Sequence, residues 1–252
     1  MNARPRVGLF VTCLVDLMRP SIGFAAVRLL EQAGCDVHVP AAQTCCGQPA
    51  WNSGADRDAA AIARQVIEAF EDFDYVVAPS GSCAGMIRVH YPEVLAGDTN
   101  HEPRARALAA RTFELVQFLV SVRGLTSAAA GCAVRLCYHD SCSALRELRI
   151  KQEPRKILAS VEGAEIRELN EPDVCCGFGG LFSVKYPEIS ERMADDKIAD
   201  AQSTGADIIT SSDLGCLLHL AGRIGRRGLP LRARHIAEIL AGDTDAPAMG
   251  GK

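Results

Sequence analysis

Thr44-Cys45-Cys46-Gly47-Gln48-Pro49 is a stretch of sequence that occurs again, in altered form, as Val174-Cys175-Cys176-Gly177-Phe178-Gly179-Gly180, 130 positions later. A distant cysteine precedes each Cys-Cys-Gly and another follows it, which gives the sets Cys13, Cys45, Cys46, Cys83 and Cys142, Cys175, Cys176, Cys216. The first gaps hold 31 and 32 residues, and the second gaps hold 36 and 39. A hydrophobic core can use free cysteines, but it does not require adjacent pairs at a repeated spacing. The pattern therefore indicates a duplicated unit that uses its cysteines for chemistry.

Length and composition set the first bounds on function. The 252 residues suffice for one large domain or two small ones, and 48% of them are hydrophobic, which allows a sizeable core. A net charge of −4 argues against a general nucleic-acid binder. The start of the chain has no signal-peptide pattern, and no apolar stretch approaches the roughly 20 residues of a membrane span. We expect a soluble cytoplasmic protein, in which many cysteines, here an odd number, favour metal or redox chemistry over disulfides.

Short apolar runs alternate with helical patterns in the same order in both halves. The patterns predict strands at residues 7–11, 36–39, 75–78, 134–138, 165–169 and 207–210, and helices at 20–33, 55–70, 83–91, 102–122, within 151–161, at 187–203 and from 211. We therefore predict an α/β fold made of two repeated βαβ-type halves with a pseudo-twofold relation. The N-terminal half is expected at residues 1–125, the C-terminal half at 132–241, and a flexible tail at 242–252.

The predicted strands bring the cysteines to one edge of each half. In open α/β sheets, ligands bind at the loops that follow the carboxyl ends of the strands. Cys13, Cys83, Cys142 and both Cys-Cys-Gly turns follow predicted strands, and Cys216 lies in the first turns of a helix. Glycines let the backbone approach a cofactor closely, and their amides can donate hydrogen bonds to sulfur. Those predicted to bind the cofactor in this way are Gly47, Gly81 and Gly177.

Four thiolates suit either zinc or an iron–sulfur cluster. Structural zinc sites usually use Cys-x-x-Cys knuckles, which wrap two thiolates around one ion. Adjacent cysteines in extended chain point apart, so they reach different irons of a polynuclear cluster more easily. The spacing favours iron–sulfur, and zinc in at least one half stays open.

The cysteine pattern resembles the CCG cysteine-rich domain family. The resemblance also rests on residues 9–16, on Gln43 to Gly54, on Pro79-Ser80-Gly81-Ser82-Cys83 and on Tyr138-His139-Asp140-Ser141-Cys142, and it covers nearly the whole chain. It implies one or two iron–sulfur clusters, of the [4Fe–4S] type. It further implies a cytosolic electron-transfer subunit that works with companion iron–sulfur and small subunits in the oxidation of L-lactate to pyruvate.

The chain departs from that family at the end of each half, where the family often has Cys-x-x-Cys. Met86 and His219 stand where the fifth cysteine is expected. The missing thiolate leaves a four-thiolate cluster, a cluster ligated by His219, or zinc as alternatives to the noncubane cluster known in the family. We expect Met86 to fill the core.

Several other residues are candidates for roles near the sites. His139 is the candidate catalytic residue, since it can hydrogen-bond a cluster sulfur, move protons or bind substrate, and Asp140 can orient it. Trp51 and Asn52 can shape a pocket, although core packing is the simpler role for Trp51. We expect His235 to cap or pack. Outside the repeated pattern, buried structural thiols are expected at Cys35, Cys132 and Cys137, and a basic run, solvated or able to dock an acidic partner, at Arg223, Arg226, Arg227, Arg232 and Arg234.

Three functions remain open from the sequence. The first is the electron-transfer subunit. The chain has no G-x-G-x-x-G after a strand, so nothing in it resembles a flavin or nicotinamide site. It also has no ferredoxin-type cysteine run, so additional clusters would belong to a partner. Such a chain would catalyse nothing alone. The second is a thiol or heterodisulfide reductase that binds its substrate at a cluster. The third is a zinc-bound structural subunit.

Overall fold

A computed structural model describes residues 4–128, 130–243 and 247–250, and of Cys132 it describes the backbone alone. The strands of these residues are β1 (Arg6–Leu9), β2 (Asp36–His38), β3 (Tyr75–Ala78), β4 (Thr112–Glu114), β5 (Gly131–Tyr138), β6 (Glu162–Ile166), β7 (Ile208–Ser211) and β8 (Arg232–His235). They form two parallel sheets with the orders β2-β1-β3-β4 and β6-β5-β7-β8. The order is the same in both sheets, which confirms the predicted α/β fold of two repeated halves.

Helices follow the strands in each half. The helices are α1 (Cys13–Met18), α2 (Ser21–Gln32), α3 (Gln48–Ser53), α4 (Asp56–Phe70), α5 (Gly81–Gly85), α6 (Tyr91–Val94), α7 (His101–Ala110), α8 (Leu115–Gln117), α9 (Gln152–Leu158), α10 (Leu181–Lys185), α11 (Pro187–Ser203), α12 (Leu214–Arg226) and α13 (Ile236–Leu240). Segments Met86–His90, Phe118–Val122 and Ser143–Glu147 are π-helical. The helices predicted at 55–70 and 187–203 are confirmed, and Pro187 occupies the first turn of α11, where its missing N–H costs nothing. No helix of the described segments is long and apolar enough to cross a membrane.

One hydrophobic cluster is shared by the two halves. It joins Leu9 and Leu30 of the first half to Leu136, Tyr138 and Ile236 of the second, all of them buried. A further cluster lies within the second half, and another, mainly of the first half, also includes Ala144, Leu148 and Ile150 of the second. Full burial of such side chains contributes roughly 1.5–3 kcal/mol each, so the shared cluster holds the two sheets together.

A buried ion pair also joins the halves. The Arg19 guanidinium lies 2.7 Å from the Glu238 carboxylate, which also accepts a hydrogen bond from Ser21 at 2.8 Å. Glu238 belongs to the capping box of α13, whose N-cap is His235. Nδ1 of His235 accepts from the amide of Ala237 at 3.1 Å, which confirms the predicted capping role.

The prediction of one continuous helix at residues 102–122 is wrong. The chain forms α7, then strand β4, then α8 and a π-helical turn. Residues of β4 pair in parallel with Val76 to Ala78 of β3, with Glu114 opposite Ala78. Thr112 and Phe113 are good strand formers, and this pairing outweighs the local helical pattern.

One strand was missed and another was predicted with the wrong bounds. The sequence analysis missed β8 because it assigned Arg232 and Arg234 to the basic run. In the structure Arg234 is buried, and Arg232 is exposed at the start of the strand. β6 ends at Ile166 and begins at Glu162, earlier than the predicted 165–169. An irregularity in β5 between Gly131 and Val134 carries the pairing back to Glu162.

The proposed boundaries at 125, 132 and 241 stay predictions, as does the flexible tail. Residues 244–246, 251 and 252 of that tail lie outside the described residues. Within its described part, Met249 pairs with Ala233 through two backbone hydrogen bonds of 2.8 Å.

Glu114 predicts a pH dependence of stability. It is fully buried at the end of β4; one carboxylate oxygen accepts from the amide of Gln117 at 2.9 Å, and the other has no partner among the described residues. Burial raises the pKa of Glu114 to about 7, from 4.5. The folded state therefore binds this proton more tightly than the unfolded state, so its stabilising contribution is lost as the pH rises from 4.5 through 7.

Glu114→Gln keeps the shape and removes the titration. Relative to the wild type, this variant should gain about 2.5 kcal/mol of unfolding free energy as the pH rises from about 5 to about 8. Urea unfolding at both pH values measures the difference. An equal pH dependence in the two proteins would show that Glu114 is not the group responsible.

Candidate metal centres

The first four cysteines meet at the carboxyl edge of the first sheet. Cys13 opens α1 directly after β1, and Thr12 caps that helix by accepting from the amide of Val15 at 3.3 Å. The sulfur atoms of Cys13 and Cys45 are 4.0 Å apart. The thiol of Cys46 interacts with those of Cys45 and Cys83. The structure thus brings together four thiols that lie far apart in the sequence.

The second four cysteines meet in the same way. The thiol of Cys175 interacts with those of Cys142 and Cys176, and the thiol of Cys176 interacts with that of Cys216. Cys176 and Cys216 are buried, whereas Cys142 and Cys175 are partly exposed. The first quartet shows the same arrangement, with Cys46 and Cys83 buried. Each quartet therefore has an inner and an outer pair of sulfur atoms. That all eight ligate metal stays a prediction.

The electrostatics of the thiols fit a cationic cofactor. Hydrogen bonds that Cys13 and Cys46 donate to Cys45 lower the pKa of Cys45. The same hydrogen bonds, together with burial and the charges of neighbouring thiols, raise the pKa values of Cys13 and Cys46. In the second quartet the hydrogen bond to Cys175, and then burial, raise the pKa of Cys142. Thiols this close cannot all ionise unless a metal neutralises them, so the donor set fits a metal ion or cluster.

The two Cys-Cys-Gly turns share one backbone device. Gly47 has φ +83° and Gly177 has φ +85°, a left-handed conformation that favours glycine. The amide of Gly47 donates to the sulfur of Cys45 at 3.4 Å, and that of Gly177 donates to Cys175 at 3.3 Å. Such N–H···S bonds tune a cluster's potential. A Cβ at Gly81 would lie 2.7 Å from Cβ of Ala144, so this glycine permits close packing of the two halves. That Gly81 also binds the cofactor stays a prediction.

His139 lies against the inner sulfurs of the second quartet. One of its ring nitrogens and the sulfur atoms of Cys176 and Cys216 all lie within 4.8 Å of one another. The imidazole is fully buried, and neither nitrogen has a hydrogen-bond partner in the described part of the chain. Burial lowers the pKa of His139 to about 3, so the ring is neutral, the form that binds metals. Its neighbour Asp140 does not orient it, because that carboxylate is held by Arg155 at 2.8 Å and 3.0 Å.

His219 already has partners. Its Nε2 lies 3.2 Å from Oγ of Ser190 and 3.4 Å from the Ser190 carbonyl oxygen. Oγ of Ser190 in turn donates to the carbonyl of Gly177 at 2.8 Å. His219 therefore supports the Cys-Cys-Gly turn from behind, and its ligation of metal stays a prediction.

Asp213 links the two sites, and the sequence analysis did not single it out. Its carboxylate caps α12 by accepting from the amide of Gly215 at 3.2 Å. The same carboxylate accepts from the amide of Ser82 at 2.9 Å and from the hydroxyl of Ser80 at 3.3 Å. Ser80 and Asp213 each stand three residues before the last cysteine of their quartet. The N-terminal ends of α5 and α12, which carry the last cysteine of each quartet, thus meet at one buried acid.

A cavity lies in front of each quartet. One, of about 290 Å³, is lined by Cys142, Cys175, Cys176 and Cys216 together with Trp51, His90 and Glu147; the other, of about 180 Å³, is lined by the first quartet. Trp51 and Asn52 line the larger cavity, and Trp51 also packs against a hydrophobic cluster, the role that the sequence favoured for it. Both cavities share one wall, formed by Gln48, Ser82, Phe178, Gly180 and Asp213. The two candidate centres are therefore close neighbours, each built by both halves.

Lys197 is a second residue that the sequence analysis missed. It is 1% exposed on α11, donates to the carbonyl of Glu171, and places its charge near Cys176. Lys197 lies on the buried side of α11 with Ala194, Ile198 and Ala201. That position on an apolar stripe was the signal available in the sequence, because a lysine among buried residues needs an anionic neighbour.

The remaining predicted residues have structural roles. Met86, Cys35 and Cys137 are buried in the core, as predicted, whereas the side chain of Cys132 lies outside the described residues. The basic run is divided by the fold. Arg223 pairs with Glu191 and Asp195, and Arg227 also pairs with Asp195. These ion pairs reduce the charge available for an acidic partner.

Comparison with known proteins assigns the duplicated pattern. The chain matches the cysteine-rich domain family CCG twice, at residues 7–88 and 136–221. It is 49% identical over 235 residues to lactate utilization protein A of Geobacillus thermodenitrificans, covering 93% of this chain and 98% of that protein. It is 47% identical over 234 residues to the protein of the same name from Shouchella clausii, again covering 93% and 98%.

A solved structure resembles the whole fold. A hypothetical protein from Helicobacter pylori superposes with a TM-score of 0.71 and 11% identity, over 100% of this chain and 55% of that one. At this identity the likeness concerns the fold alone.

Proposed function

This chain belongs to the CCG cysteine-rich domain family, and from that premise we propose that it is the iron–sulfur electron-transfer subunit of a cytoplasmic system that oxidises L-lactate to pyruvate. The observation that carries the proposal is the pair of neighbouring thiol quartets in a chain 49% identical to a lactate utilization protein A. Companion iron–sulfur and small subunits would complete the system.

The donor sets favour iron–sulfur clusters over isolated zinc ions. The residues that would hold the clusters are Cys13, Cys45, Cys46 and Cys83 in one half and Cys142, Cys175, Cys176 and Cys216 in the other. Structural zinc sites usually use Cys-x-x-Cys knuckles, whereas each quartet contains an adjacent Cys-Cys pair and no such knuckle. An iron–sulfur cluster, when bound, supplies one-electron transfer at a potential set by ligands, hydrogen bonds and burial. The amides of Gly47 and Gly177 would supply such hydrogen bonds.

The residues that line the two cavities support oxidation of lactate in a companion subunit. A carboxylate substrate is usually held by arginine or lysine. Among the described residues, neither cavity is lined by either of these residues, and the larger one contains Glu147 and Asp213. The partly exposed outer cysteines instead suit electron exchange with a partner protein. We therefore assign substrate oxidation to a companion subunit and electron transfer to this chain.

Metal analysis tests the proposal. Protein purified without oxygen should contain iron and acid-labile sulfide in equal amounts, with paramagnetic resonance signals after reduction. With the companion subunits present, L-lactate should produce the same signals. Zinc without iron or sulfide would leave the structural subunit as the function and remove electron transfer.

One observation is also consistent with the second candidate function, a disulfide reductase. The cavity of about 290 Å³ in front of Cys142 and Cys175 has room for a small disulfide. Turnover of disulfides by the iron-loaded chain alone would favour a reductase, whereas lactate-dependent reduction without disulfide turnover would favour electron transfer.

A further inference from the structure

We propose that the imidazole of His139 is a ligand of the metal centre in the second site, so that the two centres of the chain differ in ligation. The inference rests on the proposed function, because it takes the metal to be iron in a cluster held by the second quartet. The proposed ligand is a histidine nitrogen, whereas the repeated sequence pattern consists of cysteines.

The first argument is the state of the ring. Both nitrogens of His139 are buried and unpartnered within the described segments. Burying a polar group without a hydrogen bond costs a few kcal/mol, so an unpartnered imidazole is expected only where something else binds it. A metal bound at one nitrogen would remove much of that cost.

The second argument is distance. A nitrogen of His139 and the sulfurs of Cys176 and Cys216 all lie within 4.8 Å of one another. The ring nitrogen therefore faces the same space as the two inner sulfurs, so a metal centre bound by Cys176 and Cys216 would also be within reach of His139.

The third argument is that the other candidate nitrogen is engaged. Nε2 of His219 is within hydrogen-bond distance of Ser190, which in turn holds Gly177. His139 is therefore the candidate imidazole with both ring nitrogens free of hydrogen bonds among the described residues.

The equivalent position of the first half carries no donor. His139 stands three residues before Cys142, and Phe10 stands three residues before Cys13. Phe10 is fully buried, and its ring centroid lies 5.5 Å from that of Phe70. The duplicated fold thus puts a hydrocarbon ring behind one quartet and a nitrogen ligand behind the other.

Pulsed paramagnetic resonance of the reduced, iron-loaded protein tests the inference. One centre should show strong coupling to a histidine nitrogen, and the coupling should change when the protein contains ¹⁵N-histidine. His139→Phe, which copies the first half, should abolish this coupling and leave the signal of the first centre intact. The matched controls His219→Gln and His90→Gln should retain it; His90 also lines the larger cavity.

The outcomes separate the two proposals. Absence of histidine coupling in a wild-type protein that holds two iron centres would overturn the ligation and leave the electron-transfer function standing. Coupling that disappears in His219→Gln and persists in His139→Phe would also overturn it. A protein that binds no iron would overturn both. Because labelled wild type carries the first test, a His139→Phe variant that fails to fold does not weaken it.

Discussion

Cys46→Ser should lower the iron and sulfide content of the protein by about half, and Cys176→Ser should do the same at the other centre. Cys46 and Cys176 are the inner members of the two Cys-Cys pairs, 2% and 1% exposed. Each interacts with two other thiols of its quartet. Serine keeps the size but loses the soft thiolate that iron prefers, and a buried site cannot recruit a replacement from solvent.

The two variants should be complementary. Because the centres are neighbours but have separate sulfur donors, each variant should lose one centre's absorbance and paramagnetic signal and retain the other's. The measurement is iron, sulfide and absorbance per protein after anaerobic purification. Cys35→Ala and Cys137→Ala are the matched controls, since both thiols are equally buried but lie outside the quartets. Unchanged metal content in Cys46→Ser and Cys176→Ser would show that the ligand assignment is wrong.

The site's main features could be predicted because they depend on chain order alone. Because strands precede Cys13, Cys83 and Cys142, each parallel sheet must deliver its cysteines to the edge formed by the carboxyl ends of its strands. The family resemblance, confirmed by the match at residues 7–88 and 136–221, rests on the same spacing. Long, strongly patterned helices such as α4 were predicted for a similar reason, since their apolar stripe is visible locally.

The sequence failed where long-range contacts decide. Strands β4 and β8 are short and largely polar, and each forms only by pairing with its sheet neighbour. The role of Asp213 depends on which elements meet, and no spacing rule expresses that. The burial of Lys197 follows from the apolar stripe of α11, but its proximity to Cys176 depends on the fold. The same holds for the difference between His139 and His219, because it depends on which imidazole has a hydrogen-bond partner.

Gly177→Ala should destabilise the protein by roughly 4 kcal/mol, well beyond Gly47→Ala, although the two glycines occupy the same place in the repeat. Both have positive φ values, at which an alanine costs about 1–2 kcal/mol. A Cβ at position 47 would lie 3.2 Å from Cγ2 of Ile62, a side-chain atom that can move. A Cβ at position 177 would lie 2.7 Å from the backbone oxygen of Ser190 and 2.8 Å from Cβ of Met193.

The second clash cannot be relieved locally, because Ser190 and Met193 belong to α11, which would have to shift as a whole. Overpacking of this kind costs about 1–3 kcal/mol in addition to the backbone strain. The shift would also pull Ser190 from the Gly177 carbonyl and from His219. Gly177→Ala should therefore also reduce metal retention at the second centre, while Gly47→Ala leaves that centre loaded. Urea unfolding midpoints and iron content of both variants measure the difference. Equal destabilisation would mean that α11 yields readily, and that Ser190 does not fix the turn that presents Cys175 and Cys176.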